Sequence, residues 1–218
     1  MPFWSRRRKD IPDATTVRWL SPQESPFGVS VLDCRPFTQS HLSATSNPDI
    51  AARFSSLRNS PGDQLDNLQL PHTLATPPGL RYPFAAKSQP NGPVFRASRM
   101  EEKWDLYVRA GCLFCLRSWT GGPVYAAQLT WLTGEWTITE VSRAAGIEED
   151  QSRSIQVVDY LIKSHLYNLA APHPLQLPLK GDNQALAIAS FSEFGCRALY
   201  GTFDDLVHTE SLERGLWG

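Results

Sequence analysis

The sequence has no long apolar run, no excess charge of either sign, no internal repeat and only two methionines. No stretch approaches the roughly 18 apolar residues that a membrane-spanning helix needs. Lys and Arg number 21 against 22 Asp and Glu, a net charge of -1, so the chain as a whole is not drawn to nucleic acid or an anionic membrane. Catalytic signatures are missing as well. There is no GxxxxGK[ST], no GxGxxG after a strand, no HExxH and no GxSxG. The five histidines, His41, His72, His165, His173 and His208, are scattered without metal-ligand spacing and read as surface or core residues. His173, between Pro172 and Pro174, reads as rigidly displayed. No metal and no cofactor are expected.

Cysteine is present but not in a pattern that carries chemistry. Of Cys34, Cys112, Cys115 and Cys196, only Cys112 and Cys115 have CxxC spacing, and no second CxxC completes a zinc set. Cys112 to Leu116 reads as a buried strand, where residues three apart point to opposite faces. Two thiolates so placed cannot share one metal ion. Small buried hydrophobes in a reducing cytoplasm are the simpler expectation. The start of the chain agrees with this: Arg6-Arg7-Arg8-Lys9 has no apolar run behind it, so it reads as a solvated basic end rather than a secretory signal.

What remains is a globular composition. The chain has 218 residues, 41% hydrophobic and 20% charged, enough to bury roughly 70% of its unfolded surface. A single domain is expected, with a Pro-rich irregular part over residues 1–95 and a meander-plus-helix part over 96–206. In the first part, Phe27 to Cys34 alternates like a strand through Val29 and Val31. Asn47-Pro48-Asp49 starts a helix with Ile50, Phe54 and Leu57 on one face, and a short strand is placed at Asn67 to Leu70. From Lys103 onward four strand-like runs follow: Lys103 to Arg109, Cys112 to Ser118, Pro123 to Trp131 and Glu135 to Ser142. Ala110-Gly111, Thr120-Gly121-Gly122 and Thr133-Gly134 separate them as hairpin turns. Glu148-Glu149-Asp150 opens a helix reaching about Leu169, and Asp182-Asn183 caps another that Gly195 stops. A last strand runs from Arg197 to Phe203. The fold class is therefore α+β: an antiparallel β-meander over about residues 95–142, packed with two or three helices.

One polar cluster stands out. With Ala110 and Gly111 as the turn, Trp104 faces Arg117 and Lys103 faces Ser118. Arg117 then lands on a face made by Trp104, Leu106, Val108, Leu113 and Cys115. A guanidinium there needs a carboxylate, a ligand anion or an aromatic ring. In the functional reading it forks an anion, helped by the Ser118 and Thr120 hydroxyls and the amides near Gly121 and Gly122. In the structural reading it pairs with Glu101 or Glu102 and stacks on Trp104. Trp119, Trp131 and Trp136 on the meander suit either a core or an exposed binding face.

Arg99-Met100-Glu101-Glu102-Lys103-Trp104-Asp105, followed by Arg117-Ser118-Trp119-Thr120-Gly121, resembles a signature of uncharacterised bacterial proteins. The likeness covers about residues 95–130, with a weaker echo at Phe191-Ser192-Glu193-Phe194-Gly195. It implies that Lys103, Trp104, Arg117, Trp119 and Gly121 act as one unit, and it carries no assigned activity. In some of those proteins a similar segment accompanies ADP-ribose-processing enzymes, a link of context that names no ligand. The expectation is a non-catalytic cytoplasmic protein that binds a protein partner or a small anionic ligand. Its candidate ligand residues are Lys103, Trp104, Arg117, Ser118, Trp119, Thr120 and Gly121. The rival is an enzyme or accessory acting on a nucleotide or ADP-ribose-type phosphate compound, with Glu101, Glu102 or Asp105 as acid or base. A catalytic acid would have a raised pKa in a cleft with Arg117; a structural one would be depressed and bonded to it.

Overall fold

The computed structural model describes residues 16–75, 80–84, 88–132 and 134–207. The basic run at residues 6–9 and His208 lie outside them, as does the side chain of His72. The fold is α+β, with the antiparallel meander at its centre.

The strands of the meander are β3 (His72–Ala75), β4 (Arg81–Pro83), β5 (Gly92–Phe95), β6 (Trp104–Arg109), β7 (Cys112–Arg117), β8 (Pro123–Leu132) and β9 (Glu135–Arg143). The order across the sheet is β3-β9-β8-β7-β6-β5, with β4 also paired to β9. The β6–β7 turn is closed by Ala110 and Gly111 at φ 49° and 76°. Both residues are left-handed, which matches the twist of the flanking strands. The turn sets the register: Trp104 faces Arg117, Leu106 faces Cys115 and Val108 faces Leu113.

Both faces of this hairpin are covered. Trp104, Leu106, Val108, Leu113 and Cys115 join the main core, with Ile155, Val158, Leu161 and Ile162 packed against it. On the other face Tyr107, Phe114 and Leu116 pack against Leu65, with Leu68, Leu70 and Cys112 alongside. Cys112 and Cys115 thus do sit on opposite faces. Burial drives the Cys112 thiol up to about 11 and raises Cys115 as well. Trp136 is core, stacked on Phe84 with centroids 4.2 Å apart, while Trp131 is half-buried at its edge.

A second, smaller sheet has the order β1-β2-β11-β10. It comprises β1 (Arg18–Leu20), β2 (Val31–Asp33), β10 (Pro172–Pro174) and β11 (Tyr200–Thr202), and β10 runs parallel to β11. The helices are α1 (Arg35–Thr38), α2 (Pro48–Leu57), α3 (Gln151–Leu161) and α4 (Asn183–Phe194). Leu186, Ala187 and Phe191 of α4 pack with Leu32, Cys34 and Phe37. Capping sets three helix starts: Asn47 accepts from the Asp49 N–H, Asp150 from Arg153 and Asp182 from Ala185. No helix among the described residues is long and apolar enough to cross a membrane.

Several sequence boundaries move. The strand expected over Phe27 to Cys34 is confined to Val31–Asp33, where β1 and β11 supply backbone partners. Asn67 to Leu70 is not a strand; Asn67 adopts φ 65°, and Leu68 and Leu70 instead cover Leu65. The helix at α3 passes into a π-helical turn over Ile162–Leu166. A 3-10 turn at Gly195–Arg197 takes the first residues expected of the last strand.

Candidate functional site

The open end of the β6–β7 hairpin meets the C-terminal end of α4. The last turn of a helix leaves carbonyl groups without intrahelical donors and carries partial negative charge. Two side chains of the hairpin answer it. Trp104 Nε1 and Arg117 Nη1 both donate to the main-chain oxygen of Glu193, each at 2.7 Å. The Arg117 guanidinium lies over the Trp104 indole, 4.2 Å from its centroid. Gly195 completes the junction at φ 70°: a Cβ there would stand 1.8 Å from the Glu101 carbonyl oxygen. Two segments of the noted resemblance, around residues 99–121 and 191–195, are therefore in direct contact.

Lys103 sits beside this junction. Its ammonium donates to Ser43 Oγ at 2.6 Å and to the Met100 carbonyl at 3.0 Å, and lies 4.4 Å and 5.1 Å from the Trp119 and Phe191 ring centroids. Trp119 Nε1 is held by the same Met100 carbonyl at 2.8 Å. A pocket of about 380 Å³ opens here, lined by Lys103, Arg117, Trp119, Thr120, Phe191 and Ser192.

Of the residues singled out from sequence, Lys103, Arg117, Trp119 and Thr120 line this pocket, and Trp104 forms the plate under Arg117. Ser118 and Gly121 are elsewhere. The Ser118 hydroxyl is buried and donates to the Glu102 carbonyl at 2.6 Å. The Thr120 and Gly121 amides donate to the Arg117 carbonyl, and the Gly122 amide to Thr120 Oγ1. The amides and the Ser118 hydroxyl expected as extra anion donors thus serve the turn instead.

The carboxylates expected near Arg117 are also engaged elsewhere. Glu101 accepts from the Ser43 amide at 2.8 Å, which holds its carboxyl below the usual range. Glu102 pairs with Arg197 at 3.2 Å, and Asp105 pairs with Arg58 at 2.5 Å. Among the described residues, no carboxylate comes within 4.0 Å of Arg117 or Lys103. Burial lowers the pKa of both cations. Glu101 pulls Lys103 back up from a distance while Arg117 repels it, and Glu193 does the same favourable work for Arg117. Two adjacent cations therefore bear a desolvation cost without a bonded counter-ion.

Arg117 also lines a second concavity, a cleft of about 900 Å³ bordered by Val124, Tyr125, Glu149, Arg153, Leu175 and Glu193, among others. Inside it Arg153 bridges two carboxylates, Glu193 at 2.5 Å and Glu149 at 3.4 Å. Glu149 also accepts from Tyr125 and Ser154 at 2.8 and 2.6 Å. The Glu193 side chain is 12% exposed, and burial raises its pKa against the pull of Arg153 and Gln176. Sequence reasoning missed Glu193 and Arg153. The weak echo over residues 191–195 touched Glu193 and nothing marked Arg153, since α3 and α4 come together through the tertiary fold alone.

The other candidates are structural. His173 is fully buried rather than displayed, with Nε2 2.7 Å from Ser190 Oγ. His165 is buried against Phe95, and burial lowers both histidines to about 3. Asp205 accepts from Ser152 and from the Val207 amide. Among the described residues no group of three or more His, Cys, Asp or Glu is placed to hold a metal. Comparison with family models, with curated proteins and with solved structures gives no significant match.

Proposed function

We propose that the chain is a non-catalytic cytoplasmic binding protein for a small anionic ligand, held in the pocket between Lys103 and Arg117. One observation carries this reading: two neighbouring, desolvated cations face one pocket with no carboxylate in bonding range among the described residues. An anion seated between them would supply the missing charge, and Trp119 and Phe191 would cover a planar or apolar portion of the ligand. The four free thiols support a reducing compartment.

A thermal-shift series with phosphate, sulfate, nucleotides and ADP-ribose tests it, on wild type and Arg117→Met. A ligand at about 100 times its Kd stabilises by roughly 2.7 kcal/mol. For a chain of this size that is a rise in Tm of roughly 5–10 °C. The expected result is a rise in wild type that the variant lacks. No rise with any anion refutes the reading and turns the search to protein partners.

The second reading, an enzyme acting on a phosphorylated nucleotide or ADP-ribose-type compound, gains one observation. Glu193 has a raised pKa and shares a cleft with Arg117, as a general acid would. It replaces Glu101, Glu102 and Asp105 in that role. Turnover of such a compound by wild type, abolished in Glu193→Gln, would favour it over simple binding.

A further inference from the structure

The pocket and the cleft share a wall. Arg117 and Ser192 line both, so an occupant of one lies next to the other. Their charges are segregated. The pocket holds only cations, Lys103 and Arg117. Beyond Arg117 the cleft holds Glu148, Glu149, Asp150 and Glu193 against the single cation Arg153. Arg153 bonds Glu149 and Glu193, and Asp150 caps α3 by accepting from the Arg153 amide at 2.7 Å. Glu148 is exposed on the cleft lining, with no bonded partner among the described residues. Apolar side chains also line the cleft, among them Val124, Ile147, Leu175 and Phe203, together with the polar Gln156, Gln176 and Thr202.

We infer that the pocket and the cleft form one bipartite site for a short peptide, with its terminal carboxylate on Lys103 and Arg117, apolar side chains along the cleft, and a basic end toward Glu148. This rests on the anion reading above and narrows it to a ligand class. A peptide suits the site because its carboxylate and its amine stand at opposite ends with side chains between them. The size agrees. Volumes of about 380 and 900 Å³ together exceed what one drug-sized molecule ordinarily fills, roughly 300–1,000 Å³. The opposite sign of the charges lining pocket and cleft also gives direction, because a reversed peptide would place like charge on like.

The test uses the full chain and four probes: inorganic phosphate, a lysine–leucine–phenylalanine tripeptide, its N-acetyl form with glutamine replacing lysine, and its C-terminal amide. Binding is read by calorimetry on wild type and on Glu148→Lys, a change at an exposed position that leaves the fold alone. The free tripeptide is expected to bind at least tenfold more tightly than either blocked form. Glu148→Lys is expected to remove the advantage of the free basic end, again about tenfold, while phosphate affinity stays within twofold. Equal binding of the free and N-blocked peptides, or no effect of Glu148→Lys, overturns the bipartite site. If phosphate still binds in that case, the anion reading survives. If neither phosphate nor any carboxylate-bearing probe binds, the anion reading falls with it.

Discussion

The two ends of the β6–β7 hairpin each carry an arginine, and the fold treats them oppositely. At the closed end Arg109 is met by two carboxylates, Asp63 at 2.9 Å and Asp66 at 2.6 Å. At the open end Arg117 has none among the described residues; it has an indole face and a carbonyl at the end of α4. The partners of Arg109 stand at the protein surface, Asp63 69% and Asp66 46% exposed, where such pairing contributes little to stability. Arg117 is desolvated, where an unpaired charge is costly. A protein that needed only a stable sheet would have been better served by the reverse. The contrast supports the proposed anion-holding role of Arg117, beside the contacts it makes with Trp104 and the end of α4.

The junction under Arg117 offers the sharpest way to break this contrast. Gly195→Ala places a Cβ against the Glu101 backbone in a left-handed conformation, so nothing flexible can give way. A loss of more than about 4 kcal/mol in urea unfolding is expected, enough to separate α4 from the hairpin. A well-folded Gly195→Ala protein would show that this junction is loose. Next comes the paired charge one residue in from the open end of the hairpin. Asp105 is 2% exposed at its side chain and accepts from Arg58 and from the Ala97 amide. Asp105→Ala strands Arg58 and is expected to cost about 3–5 kcal/mol.

A third way to handle a buried base is to leave it neutral, as His165 and His173 are left. Both titrate near 3 in the folded chain and near 6.5 when unfolded, so the unfolded state binds more protons between those values. Stability is therefore full above about pH 6.5 and lost as pH falls, by roughly 1.4 kcal/mol per unit for each histidine. Urea midpoints measured from pH 7 to pH 5 check the slope; a flat profile would contradict the burial of these rings. The smallest changes are expected at the two arginines themselves. Arg117→Met keeps the stem over Trp104 and relieves an uncompensated charge, so its stability should stay within about 1 kcal/mol of wild type while its response to phosphate disappears. Arg109→Ala should move the melting temperature little and leave the phosphate response intact. A large loss in Arg117→Met would make that residue a structural one and level the contrast.

Local signals in this chain were strong where one turn or cap decides the geometry. Ala110-Gly111 forces a tight turn, so the facing of Trp104 and Arg117 and the segregation of Cys112 from Cys115 could be read directly from spacing. Asn47, Asp150 and Asp182 announced their helices because a side-chain oxygen can satisfy amides a few residues on. Such reasoning ran too long over Phe27 to Cys34, where only Val31–Asp33 pairs, and failed over Asn67 to Leu70, because no local rule says which residues find a partner strand. It also placed the wrong carboxylates near Arg117. Glu101 and Glu102 are neighbours in sequence, yet their partners Ser43 and Arg197 lie 58 and 95 residues away in opposite directions.

The candidate site itself is the clearest division between the two kinds of information. The amino-acid sequence by itself determined the meander, its register and the set of Lys103, Trp104, Arg117 and Trp119 at one end, because periods of two and tight turns are local properties. Only the tertiary structure decided that α4 would end on that set, that Glu193 and Arg153 would line the adjoining cleft, and that the two cations would have no carboxylate in bonding range among the described residues. Those outcomes depend on how separately specified elements bury their apolar faces against one another, and nothing in the spacing of residues along one strand encodes that.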